Sequence, residues 1–73
     1  MATKVLNCLG LQCPQPILKM STSVAELRPG DILQVSGDCP TFEDDVRKWV
    51  TRMKKTLLAV NRKDSAVIVQ IQF

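Results

Sequence analysis

The stretch from Pro14 to Ser36, PQPILKMSTSVAELRPGDILQVS, decides the fold. Ile17, Met20, Val24 and Leu27 recur at three- and four-residue spacing and make one apolar stripe, so Pro14 to Leu27 is expected to be a helix. Arg28-Pro29-Gly30-Asp31 ends it, because proline biases the residue before it away from helical geometry and glycine permits a turn. Ile32 to Ser36 then reads as a strand. Upstream, Thr3 to Cys8 reads as another, with Val5 and Leu6 in a short apolar run that Gly10 interrupts.

The rest of the chain extends this strand-helix-strand unit. A loop through Gly37, Asp38, Cys39 and Pro40 leads to a second helix from about Phe42 to Lys54, with Phe42, Val46, Trp49, Val50 and Met53 on its buried side. Thr41 followed three residues later by Asp44 resembles a capping box. Glu43, Asp44 and Asp45 fill the first turn and Arg52, Lys54 and Lys55 the last, matching the helix dipole at both ends. Leu57 to Val60 makes a third strand and Asn61 to Ser65 a polar turn. In a fourth strand Val67, Val69, Ile71 and Phe73 alternate with Ile68, Gln70 and Gln72. The order is βαβαββ, and it implies an α+β two-layer sandwich. A four-stranded mixed sheet ends in a hairpin and carries both helices on one face.

Seventy-three residues allow one domain, 1–73, with one modest core. Apolar residues are 45% and charged residues 23%, the balance of a globular chain rather than a disordered or membrane-embedded one. No apolar run is long enough to cross a bilayer, and Met1-Ala2-Thr3-Lys4 leads into a strand rather than a secretion signal, so a cytoplasmic location is expected, with no membrane partner. Thiols stay reduced there, so an odd count of three cysteines reads as free or reactive sulfur.

The net charge of +3 gathers at Arg47, Lys48, Arg52, Lys54, Lys55, Arg62 and Lys63. This is a solvated face or a docking patch for an acidic protein, with Arg47, Arg52 and Lys55 as the candidate docking residues. The aromatics are only Phe42, Trp49 and Phe73, a poor supply for stacking bases, which argues against nucleic acid as a partner.

Cys13 is the candidate reactive residue. It precedes Pro14, so it is biased toward the extended geometry of an N-cap, while Pro14 falls at the first helical position and Pro16 within the same turn. That leaves Gln15 and Ile17 as amide donors, and the Cys13 sulfur is expected to accept from Gln15. Positive charge at a helix N-terminus favours thiolate over thiol, so a lowered pKa is expected. The alternative is a small buried hydrophobe beside a stiff helix start. Gly10 and Gln12 mark the preceding segment as a loop.

A thiolate can attack a persulfide or disulfide unaided, whereas hydrolysis needs a base beside the nucleophile. The chain has no histidine, which argues against a Cys-His hydrolase and against a zinc cage. No metal site or cofactor is expected. If the first two strands are parallel, their carboxyl ends share one sheet edge, and the Cys13 loop and the Asp38-Cys39-Pro40 loop leave from it. Cys39 is therefore a possible second thiol that could resolve a persulfide or form a disulfide with Cys13, or else an unreactive loop cysteine. Cys8, at a strand end, reads as structural.

These residues resemble the TusA (SirA-like) family of sulfur carriers. Leu6-Asn7-Cys8-Leu9-Gly10-Leu11-Gln12-Cys13-Pro14-Gln15-Pro16 is similar to its opening motif, Leu27-Arg28-Pro29-Gly30-Asp31 to its mid-chain turn, and Asp38-Cys39-Pro40 with Trp49 to its second-helix region. Asn7 stands where aspartate is common, Leu9 where arginine is frequent, Cys39 where a second aspartate is usual, and Lys54-Lys55 where Gly-His often occurs. The resemblance implies the two-layer fold and a sulfurtransferase-type carrier holding sulfane sulfur as a persulfide on Cys13. Gly10, Pro14, Gln15 and Pro16 would be the supporting motif. It also implies a cysteine desulfurase or rhodanese-like donor and a DsrE/TusD-like thiol acceptor. Family members serve tRNA thiolation, sulfur oxidation or thiosulfate use, and selenium metabolism. Two rival readings remain: a non-enzymatic RNA-binding or regulatory module using the basic second helix, and a Cys13/Cys39 redox switch.

Overall fold

Side-chain alternation along four strands and one apolar stripe on each helix generate a two-layer arrangement. The computed structural model describes residues 2–12 and 15–73. Within them the order is β1 (Thr3–Cys8), α1 (Gln15–Ser23), a 3-10 turn (Val24–Glu26), β2 (Ile32–Gly37), α2 (Phe42–Met53), β3 (Thr56–Lys63) and β4 (Ala66–Gln72). The strands lie in the spatial order β1-β2-β4-β3. β1 and β2 are parallel, from Thr3 opposite Ile32 to Cys8 opposite Gly37. β4 runs antiparallel to both β2 and β3, so the sheet is mixed, as the sequence implies.

One face of the sheet carries the core. Cys8, Leu33, Val35, Val69 and Ile71 are buried there against Met20 of α1 and Phe42, Val46, Trp49 and Val50 of α2. The helices are also joined directly, the Trp49 indole N–H donating to the Ser21 hydroxyl at 3.1 Å. On the opposite face Gln70 Nε2 donates to Gln34 Oε1 at 3.0 Å across the central strands. None of the helices among the described residues is long and apolar enough to cross a membrane.

The structure corrects several boundaries. α1 stops at Ser23 rather than Leu27, tightening into the 3-10 turn, and Leu27 is extended. The Thr22 and Ser23 hydroxyls both donate back to the Lys19 carbonyl, a local bond that competes with helix continuation. Thr41 does not close a capping box: it makes no side-chain cap bond and donates to the Asp45 carboxylate instead, at 3.1 Å. β3 runs through Asn61, Arg62 and Lys63, where the sequence suggested a turn, because an edge strand can pair through its backbone while its side chains stay in water. The actual turn is Asp64-Ser65, with Asp64 at φ +56.

The end of the sheet away from the Cys8–Gly37 pair is closed by the Arg28–Asp31 turn. The Asp31 carboxylate accepts from the Ala2 and Arg28 amides. Ile32 N–H donates to the Ala2 carbonyl, and Gly30 and Asp31 exchange backbone bonds with Phe73. Both ends of the sequence are thus fastened to one turn.

Candidate functional site

The parallel β1–β2 ladder finishes at Cys8 and Gly37, and beyond it the two chains diverge into the segments that carry the candidate residues. After β1, three successive amides are engaged. Leu9 N–H donates to Asn7 Oδ1 at 2.9 Å, Gly10 N–H to the Asp38 carboxylate, and Leu11 N–H to the Cys8 carbonyl at 3.3 Å. Gly10 sits at φ +81, a backbone conformation that a side chain would oppose even though a Cβ there would meet nothing within 4 Å. After β2, Cys39 is buried, with its Sγ 3.6 Å from the Thr41 hydroxyl. Phe42 N–H donates to the Cys39 carbonyl and starts α2.

Between the two segments lies a cleft of about 620 Å³, walled by Gly10, Leu11 and Gln12 on one side and Asp38, Cys39, Pro40 and Thr41 on the other. A smaller one, of about 260 Å³, flanks the far side of the Cys39 loop against Glu43, Asp44, Arg62 and Val67. The sheet edge expected to gather the Cys39 loop and the segment leading to Cys13 therefore does so. Cys13 and Pro14 themselves lie outside the described residues, as do the expected cap role of Cys13, the Pro14 helix start and any pairing of Cys13 with Cys39.

Of the supporting motif, Pro16 is buried within α1. Gln15 N–H donates to the Gln12 carbonyl at 2.8 Å; its expected bond to the Cys13 sulfur lies outside the described residues.

The two described cysteines, Cys8 and Cys39, are chemically unlike. Cys8 is fully buried and free, and its burial pushes the thiol pKa up, with Lys19 opposing. That fits a structural role. Cys39 is disulfide-bonded.

Among the candidate docking residues, Arg47 is committed to Glu43 at 3.1 Å on the same helix face, Arg52 lies exposed in the last turn of α2, and the Lys55 ammonium stands 5.3 Å from the centre of the Phe73 ring. Glu43 also pairs with Arg62 of β3. Arg47 first, then Arg62, hold the Glu43 carboxyl below its ordinary range. Sequence reading missed this pairing and the Asp38–Gly10 bond, since both join residues far apart in the chain. The parallel pairing of β1 and β2 was the one signal that could have brought Asp38 near Gly10.

Residues 4–72 match the family described as sulfurtransferase TusA. A protein of Aquifex aeolicus (strain VF5) named "Putative sulfur carrier protein" is 30% identical over 69 residues, which are 94% of this chain and 35% of that protein. One of Archaeoglobus fulgidus with the same name is 26% identical over 65 residues, 89% of this chain and 84% of its own length. The chain thus spans about a third of the first relative and most of the second. With the family match reaching every strand and helix among the described residues, the chain belongs to the sulfurtransferase TusA family.

Proposed function

We propose that this chain is a sulfur carrier that holds sulfane sulfur as a persulfide on Cys13. The family match over residues 4–72, which spans Cys13-Pro14-Gln15-Pro16, carries the reading. The Cys13 thiolate attacks the outer sulfur of a donor persulfide. A Cys13–sulfur bond forms as the donor's sulfur–sulfur bond breaks, and the donor leaves as a thiolate. An acceptor thiolate repeats the step on the Cys13 persulfide. No external oxidant or reductant is consumed.

The donor is a cysteine desulfurase or rhodanese-like protein and the acceptor a DsrE/TusD-like protein thiol, both in the cytoplasm. An acidic partner surface would meet the exposed face of α2 formed by Lys48, Thr51 and Arg52. Arg47 would contribute less, since Glu43 already neutralises it. The pathways open to such a carrier are tRNA thiolation, sulfur oxidation and thiosulfate use.

The test is a mass spectrum after incubation with a sulfur donor. One added sulfur on the wild type and none on Cys13→Ser supports the assignment; equal loading of both refutes it. Cys8 should stay unmodified throughout, being enclosed.

A second reading, a redox switch using Cys39, is favoured by its disulfide-bonded sulfur. It predicts that Cys39→Ser abolishes the response to oxidant but leaves Cys13 able to load.

A further inference from the structure

Parallel strands impose a problem where they end. Past Cys8 and Gly37 the ladder bonds cease, and nothing in the sheet itself fixes the loop after β1 relative to the loop after β2. Asp38, the first residue beyond β2, bridges that gap. Its two carboxylate oxygens lie 3.1 and 3.2 Å from the Gly10 nitrogen, 28 residues earlier in sequence. The neighbouring amides of Leu9 and Leu11 are satisfied within their own loop, by Asn7 and Cys8, so the Gly10 amide is the one of these three that reaches outside it. Gly10 reaches it from a positive φ that glycine tolerates.

We infer that Asp38 is a positioning residue for sulfur loading: its carboxylate pins Gly10 and so holds Leu11 and Gln12, which precede Cys13 in the sequence, beside the Cys39 loop. The same bond ties together the two walls of the 620 Å³ cleft at Gly10 and Asp38. Asp38 is exposed, so its replacement leaves the core intact. The inference rests on Cys13 as the carrier and adds a residue that acts through the backbone rather than on sulfur.

Two substitutions separate hydrogen bonding from charge. Asp38→Asn and Asp38→Ala both remove the negative charge, but asparagine retains an acceptor oxygen for Gly10. Inorganic polysulfide serves as donor, because it needs no docking surface. The Cys13 thiolate takes one sulfur from it and a shorter polysulfide leaves with the electron pair. The rate of loading is read by mass spectrometry, and hydrogen exchange of the Gly10 amide is read in the unloaded protein. Loss of a charge-assisted bond predicts that Gly10 exchanges about ten-fold faster in Asp38→Ala, with loading about ten-fold slower than in Asp38→Asn. Core amides at Val35 and Ile71 should stay protected in both.

Equal loading rates for Asp38→Asn and Asp38→Ala overturn the inference, as does a Gly10 amide that exchanges at the wild-type rate in Asp38→Ala. Failure of the wild type itself to load would instead bring down the carrier reading, so the two failures are distinct.

Discussion

The ring of Phe42 occupies the space that a side chain on Gly37 would need: a Cβ built there would lie 2.6 Å from Phe42 Cδ1 and 2.7 Å from Cε1. The absent side chain at the end of β2 lets the first residue of α2 bury its ring to 1% exposure directly over the sheet. Gly37→Ala should therefore destabilise the fold by about 1–3 kcal/mol, the usual cost of overpacking. A urea midpoint shifted to lower concentration with an unchanged m-value checks it. Since the ring follows the Cys39 loop, the same substitution should also disturb that loop.

Lys54 ends α2 in the left-handed conformation, at φ +57 and ψ +43, with its own N–H on the Thr51 carbonyl and the Lys55 N–H on the Val50 carbonyl. Glycine is the residue that adopts this geometry without strain. Lys54→Gly should raise stability by about 0.5–1 kcal/mol, the relief of strain being partly offset by the freer unfolded chain. Thermal unfolding measures it, and a lowered melting temperature would show that the Lys54 side chain contributes something beyond the cap.

Acid should weaken the fold through two carboxylates. Glu43 is held low by the Arg47 and then the Arg62 guanidinium, and Asp31 by the Arg28 and then the Ala2 amide. A folded pKa below the unfolded one means that the unfolded chain binds more protons between the two values. The contribution is thus complete above the ordinary values of 4.5 for Glu43 and 3.8 for Asp31, and is lost as pH falls below them toward the folded values. Urea midpoints at pH 7 and pH 3 should differ less for Glu43→Gln than for the wild type. Asp31→Asn should likewise flatten the acid limb, and an unchanged pH dependence in both would remove these groups from the account.

The parts of the fold that were legible in sequence are those written as periodic burial. β1 spans Thr3–Cys8 as read, α2 buries Phe42, Val46, Trp49 and Val50 as read, and Val69 and Ile71 of β4 enter the core. What was not legible depends on competition or on partners distant in sequence. Ser23 has helical neighbours on both sides, yet its hydroxyl and that of Thr22 turn back to Lys19 and α1 ends there. Asn61, Arg62 and Lys63 look like a turn until Ile68, Val67 and Ala66 are placed opposite them. At the candidate site, the shared sheet edge followed from the order of elements, whereas the Asp38–Gly10 bond needed the register of β1 on β2. The bond from the Gln15 amide to the Gln12 carbonyl has no signature in residue type.

The Arg28–Asp31 turn clasps both ends of the sequence, Ala2 through the Asp31 carboxylate and Phe73 through the backbone of Gly30 and Asp31. Six rungs of parallel ladder separate that clasp from the edge bearing Gly10 and Cys39. Further polypeptide joined at either end, whether an extra domain, a fluorescent label or a tether to a solid support, would emerge on the far side of the molecule. The rim bearing Gly10 and Cys39 would stay unobstructed.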